Sequence, residues 1–308
     1  MENLLAATNN SVKYMERRKF ITTTLKASTA LTLMNVPAMV KAAGILNSDL
    51  TIQNVIDLIL KEIPEAPFKE TVDTIKSGNA ANKVTGIVTT MFATVDVIRE
   101  AIKLKANFII AHEPTFYNHL DDVKWVENNK VVAQKQELLA KNNITVWRFH
   151  DYWHTYKPDG IFYGVIKKLD WQNYLQPDKG ITLPATTLKN IILHLKSKLS
   201  ISHVRVIGDL SKTCEKIVLI PGAAGGNMQV SIAEKFTPDL LIVGELQEWE
   251  TAEYIRDAGL LGNNISLIVL GHTESEEPGM EWLADWLQPK IPAIKINHIA
   301  SQSPFIWV

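Results

Sequence analysis

Cysteine is almost missing from this chain of 308 residues, with Cys214 the one example. A lone thiol forms no internal disulfide and builds neither a zinc ribbon nor an iron–sulfur site. Any metal must therefore be held by His, Asp and Glu. Charge of one sign is missing as well, because 32 Lys and Arg stand against 33 Asp and Glu, a formal net charge of -1. No chain-wide field draws nucleic acid or an anionic membrane, so neither is expected as a partner. Long apolar runs are also absent. No segment reaches the roughly 18 apolar residues of a spanning helix, so stable membrane insertion is not expected. No Ser or Cys sits in a recognisable nucleophile elbow.

What is present is an ordinary globular composition, 46% hydrophobic and 21% charged, enough to bury a sizeable core. The N-terminus reads differently from the rest. Arg17-Arg18 precede Phe20, a mildly apolar stretch, and Val40-Lys41-Ala42, a small-x-small cleavage candidate before Ala43. Residues 1–42 resemble a twin-arginine export signal, which would place the mature chain in the periplasm or another extracytoplasmic space. The alternative is a basic amphipathic surface helix on a cytoplasmic protein. Glu16 and Lys26 depart from the usual signal pattern.

From residue 52 the pattern becomes α/β. "IQNVIDLILKEI" has helical spacing, "KVTGIVTTM" is strand-like, "TVDVIREAIKLKA" helical, and "NFIIAHEP" a short buried strand. That sequence makes a βαβ unit with a right-handed crossover. A further helix leads to "NITVWRFHDYWH". The second half repeats the order, with "EKIVLIPG", "NMQVSIAEKF", "PDLLIVGE", "EWETAEYIRDAG" and "NISLIVLGHTESE". "NFIIAHE" lines up with "DLLIVGE", and "KNNITVWRFHD" with "GNNISLIVLGH". The expected fold is two similar βαβ-containing lobes, an internal duplication, with strand ends facing a shared metal cleft. Residues 43–155 form the first lobe, 156–213 a connecting helix and strand, and 214–308 the second lobe.

Ligands in open α/β sheets collect beyond the carboxyl ends of strands, and the chemistry-bearing residues lie there. His112 and Glu113 end one strand, His150, Asp151 and His154 another, and Glu245, His272 and Glu276 end strands of the second half. Each buried ionisable group must find a partner, and a cation could serve them all. Imidazole and carboxylate without thiolate suit zinc, iron or manganese, and Glu276 could bridge two ions. Glu245 is a candidate proton relay or simply an acid at a helix start. "IPGAAGGNMQV" reads as a tight strand-to-helix turn, with anion binding as the other option. It lacks the spacing of nucleotide-binding loops. His119, His194, His203 and His298 have no ligand-like company in the sequence.

From about residue 50 to the C-terminus, these motifs resemble the NGG-interacting-factor-three-like family, also known as the GTP cyclohydrolase I type 2 family. Its His-His-Pro appears as His112-Glu113-Pro114, and its His-Thr-x-x-Asp as His150 to His154. Its glycine-rich turn is "PGAAGG", its Thr-Gly-Glu is Val243-Gly244-Glu245, and its closing motif is Gly271-His272-x-x-x-Glu276. Glu113 replaces a His and His154 stands at an Asp position, so either His154 or Asp151 is left as the ligand there. The resemblance implies a two-lobed α/β fold in a homohexamer. It also implies two divalent ions held by His112, Glu113, Asp151 or His154, His272 and Glu276, and in the hydrolase reading Glu245 is the catalytic proton relay. A metal-dependent hydrolase of a small molecule follows, with a non-catalytic metal-binding or scaffold protein as the alternative. GTP would be a poor substrate for an exported chain.

Overall fold

Helix α1, Ile52–Leu60, starts where Thr51 accepts a hydrogen bond from Asn54 N–H and Asn54 returns one to the Thr51 backbone. In this reciprocal cap Thr51 N–H donates to Asn54 Oδ1 and Asn54 N–H to Thr51 Oγ1, which satisfies two N–H groups that the first turn leaves open. The structure is a computed structural model, described over residues 50–176 and 180–308. The described residues belong to one compact unit. Residues 1–42, where an export signal is expected, lie outside them. None of their helices is long and apolar enough to cross a membrane.

After α1 come β1 (Ile75–Ser77), β2 (Ile87–Thr90), α2 (Val95–Lys103), β3 (Phe108–Ala111), α3 (Lys130–Lys141), β4 (Thr145–Arg148) and the short α4 (Asp151–Thr155). β2, β3 and β4 are parallel, with Thr90 opposite Ala111 and Ala111 opposite Arg148. All their residues are buried, as parallel strands covered on both faces require. β1 flanks β4 antiparallel.

The region expected as a connection carries α5 (Gly160–Lys168), β5 (Leu175–Gln176) and β6 (Gly180–Thr187). Then α6 (Leu188–Leu199), β7 (Arg205–Ile207), β8 (Thr213–Ile220), α7 (Gly226–Phe236), β9 (Leu240–Val243), α8 (Glu253–Leu260), β10 (Ser266–Val269) and α9 (His272–Leu287) follow. β8, β9 and β10 are parallel, and β7 lies antiparallel on β10. The order helix, antiparallel edge strand, three parallel strands with two helices between them, and a helix at the last strand end thus occurs twice. The final strand, β11 (Ile296–His298), pairs in parallel with β2.

The fold is mixed α/β with two sheets, ordered β1-β4-β3-β2-β11 and β5-β6-β8-β9-β10-β7. Their membership does not follow the expected boundaries at 156 and 214. β5, β6 and β7, from the expected connection, belong to the second sheet, and β11 belongs to the first. The helices cross over too. Met280, Leu283 and Leu287 of α9 pack with Phe108, Trp147 and Trp153 of the first sheet's core. Val165 and Ile166 of α5 join the core of the second. Glycine makes this exchange fit, since a Cβ on Gly164 would lie 2.5 Å from Gly279 Cα. The two backbones meet where only hydrogen fits. Trp153 Nε1 donates to the Gly279 carbonyl at 3.2 Å and Thr89 Oγ1 to that of Met280 at 2.8 Å. α9 therefore begins at the end of the second sheet and lies on the first.

Candidate metal centre

β3 ends at Ala111, and the chain turns with His112 and Glu113 N–H both bonded to the Met91 carbonyl, at 3.1 and 2.9 Å. Pro114 has no N–H to continue a ladder. β4 ends one strand over, and His150 takes the position before α4, its N–H held by Asp73 Oδ1 at 2.7 Å. His154 is one helical turn on. β10 ends at Val269, and His272 is the first residue of α9, so His272 and Glu276 share a face of this helix. The sequence pattern carried the strand through both residues, but it stops before them.

These elements bring together one ring nitrogen each of His112, His150 and His154, all within 4.8 Å of one another. The same holds for ligand atoms of His112, Glu113 and Glu276. His272 Nε2 lies 3.1 Å from Glu276 Oε2 and 3.4 Å from Glu113 Oε1. His150 Nε2 is 3.7 Å from Glu113 Oε1, and His112 Nε2 is 3.7 Å from Glu276 Oε2.

Three of the imidazoles are held through the same ring nitrogen. Nδ1 of His112 bonds the Phe149 carbonyl at 3.0 Å, that of His150 bonds Asp151 Oδ1 at 2.9 Å, and that of His154 bonds Asp159 Oδ2 at 2.9 Å. His272 Nδ1 faces Glu245 Oε2 at 3.6 Å. The rings of His112, His150 and His154 are fixed through Nδ1, which leaves Nε2 for the space they share, the arrangement by which outer carboxylates and carbonyls orient metal-binding histidines. His112 is fully buried, yet its Nε2 has no hydrogen-bond partner. A buried polar atom without a partner is costly, and a cation would use its lone pair. The His and Glu donor set thus fits a metal ion.

Protonation follows from the same contacts. Burial pushes His112 well below its ordinary value, helped by His150 and His154. Burial alone would raise Glu113, but His272, His150 and Arg148 hold it at about 2. Burial opposes the charge on His272, yet Glu113, Glu245 and Glu276 push it up to about 12. His154, likewise against burial, is raised to about 9 by Asp159. In both cases the neighbouring carboxylates favour the protonated imidazole.

Asp151 lies outside the converging atoms. Its Oδ1 is taken by His150, and its Oδ2 accepts from Thr71 Oγ1 and Val72 N–H at 2.9 and 3.1 Å. It orients His150, while His154 belongs to the converging group. Glu245 is exposed at the rim, within reach of His272 alone among these histidines. His150 itself joins the group, which its place in the dense His150–His154 cluster hinted at. Asp159, Asp73 and Arg148 carried no signal, since each reaches the site only through folding. His119 gains company after all, its ring 5.9 Å from that of His150.

The glycine-rich turn serves close packing. A Cβ on Gly222, where φ is +67°, would lie 2.0 Å from Glu276 Oε1, and one on Gly226 would lie 1.9 Å from Glu250 Oε2. The chain's own carboxylates occupy this turn, which supports the tight-turn option over anion binding.

A family model for Duf34/NIF3 (NGG1p interacting factor 3) matches residues 51–304. The chain belongs to the Duf34/NIF3 family. A protein of Clostridium perfringens named GTP cyclohydrolase 1 type 2 homolog is 26% identical over 235 residues, 71% of this chain and 85% of that one. A protein of the same name from Clostridium acetobutylicum is 25% identical over 254 residues, 78% of this chain and 90% of its own length. The crystal structure of a Bacillus cereus protein related to NIF3 superposes with a TM-score of 0.68, covering 84% of this chain and all of that one at 18% identity. That likeness concerns the fold.

Proposed function

We propose that this member of the Duf34/NIF3 family holds divalent metal in the cleft, two ions of zinc, iron or manganese, and hydrolyses a small molecule there. The observation that carries this reading is the unpartnered, fully buried His112 Nε2 among imidazoles whose Nδ1 atoms are already engaged. His112, Glu113, His150, His154, His272 and Glu276 would hold the ions. Bound there, the metal would supply Lewis acidity toward a scissile bond. Asp151 and Asp159 hold His150 and His154 in register. Glu245, exposed and facing His272 Nδ1 at 3.6 Å, would exchange a proton between substrate and solvent.

The clostridial relatives' name makes GTP one substrate to test. Export through the twin-arginine signal would argue against it, because the nucleotide is cytoplasmic. A non-catalytic metal-binding role is the second reading, favoured by side-chain exposures of only 0% for His112, 10% for Glu113 and 5% for Glu276. Assembly as a homohexamer and export belong to the same proposal, with light scattering and N-terminal sequencing of the periplasmic protein as their tests. The deciding experiment is elemental analysis of the purified chain with a hydrolase panel that includes GTP. Bound metal with turnover abolished by chelation is expected. Metal without turnover on any substrate would favour the second reading, and a chain that takes up no metal would overturn both.

A further inference from the structure

Arg148 is among the largest fully buried side chains, the last residue of β4 and opposite Ala111, which precedes His112. A guanidinium in such a place needs acceptors on every side. Its Nε donates to the His112 carbonyl at 3.2 Å, Nη1 to the His119 carbonyl, and Nη2 to Glu113 Oε2 at 3.3 Å, while Asp121 Oδ2 lies 3.8 Å from Nη1. The two oxygens of Glu113 therefore face different partners. Oε2 is turned to Arg148, and Oε1 faces His272 and His150 at 3.4 and 3.7 Å.

The second sheet has the matching place without the cation. Val269 ends β10 opposite Val243, two residues before Glu245, as Arg148 ends β4 opposite Ala111, two residues before Glu113. Glu245 has 54% side-chain exposure against 10% for Glu113. A carboxylate in water needs no buried counter-charge, whereas one enclosed beside the cleft does. The guanidinium coincides with the buried acid.

We infer that Arg148 is a positioning residue for the metal centre, holding one oxygen of Glu113 so that only the other is presented to the cation. This rests on the metal-binding reading above. A carboxylate held in this way contributes a single donor atom, and its charge is already balanced by Arg148. The competing role is structural, since the same guanidinium ties the carbonyls of His112 and His119 together.

A double-mutant cycle on zinc binding separates the two. Zinc affinity is measured by competition with a chromophoric chelator for the full chain, Arg148→Met, Glu113→Ala and the double variant, each checked for folding by its melting curve. Arg148→Met should weaken zinc binding about 10–100-fold, the range for a residue that orients a ligand. In the Glu113→Ala background it should add less than about twofold. Equal weakening in both backgrounds, or none in either, overturns the inference while leaving the metal reading standing. A full chain that binds no zinc overturns both. Should Arg148→Met not fold, Arg148→Lys replaces it in both backgrounds. It keeps a buried cation but lacks the planar fork that spans Glu113 and the His112 carbonyl, and the same comparison decides.

Discussion

The ends of the parallel strands in the two sheets occupy equivalent places and carry opposite kinds of residue. After β3 and β4 the first sheet has His112 and His150, and after β9 and β10 the second has Gly244 and Gly271. One half supplies imidazoles where the other supplies room. A Cβ on Gly244 would fall 2.5 Å from Gly222 N and from Ser275 Oγ, so that turn closes tightly over the start of α9. The second half then delivers its candidate ligands, His272 and Glu276, from the helix rather than from the strand ends. The repeated order of elements thus carries an asymmetric set of candidate donors, four side chains from the first half and a helical pair from the second.

The largest expected effect comes from removing that helical pair. His272→Ala or Glu276→Ala should lose stoichiometric metal and any hydrolysis. Both should melt where the chelated wild type melts, because ligand-linked stability disappears with the ion. Metal analysis and melting curves with and without chelator check this. Full metal in both variants would mean that the first half binds alone.

Next is the room that glycine leaves. Gly222→Ala should destabilise the chain by about 1–3 kcal/mol, the range for a side chain forced to positive φ, and should displace Glu276 and lower metal content. Gly225→Ala is its control, with φ at +82° but nothing within 4 Å of the added Cβ. It should cost stability by the same backbone strain and leave metal content unchanged. Equal metal loss in the two would show that the approach of Gly222 to Glu276 is immaterial.

A smaller change sharpens the first half's share. Asp159 both caps α5, accepting from Phe162 N–H at 3.0 Å, and holds His154 Nδ1. Asn caps a helix about as well as Asp, so Asp159→Asn should keep α5, while loss of the charge that raises His154 to about 9 should lower the melting temperature of the metal-free chain at neutral pH. It should weaken metal binding about 10–100-fold, as titration would read. Unchanged affinity would place His154 outside the ligand set.

The least effect on metal content goes with a pH slope. Asp73 accepts from His150 and Tyr152 N–H at 2.7 and 2.8 Å, and burial, with Asp151 nearby, raises it from 3.8 to about 6. Its folded form holds a proton that the unfolded chain has released in that window, so its contribution to stability falls as pH rises from about 4 to 6. Denaturant unfolding of the metal-free wild type and of Asp73→Asn should therefore differ increasingly to the wild type's disadvantage across the window. A constant difference would show that Asp73 titrates normally.

Much of this was legible in order and little in proximity. The alternation of apolar strands and amphipathic helices identified the parallel strands, because residues such as Phe108–Ala111 and Leu240–Val243 are apolar throughout when both faces are covered. β1 and β11, with three residues each, were not legible, since short edge strands bury too little to leave a pattern. Where β10 ends was also hidden, because Leu270 is apolar and no proline or strong cap marks the start of α9.

By itself, the sequence determined the kind of site, since one cysteine leaves only nitrogen and oxygen donors and His112, His150, His154, His272 and Glu276 fall just beyond apolar strands. Tertiary structure alone decided which atoms meet. Asp151 and His154 are three residues apart on one short helix, and nothing local tells which faces the cleft. Thr71 and Val72, brought from far along the chain, occupy one oxygen of Asp151 while His150 takes the other. Asp159 turns His154 inward. The exchange of α5 and α9 between the sheets sets Glu276 beside His112, because burial of apolar faces fixes where helices lie and the polar ligands are carried with them.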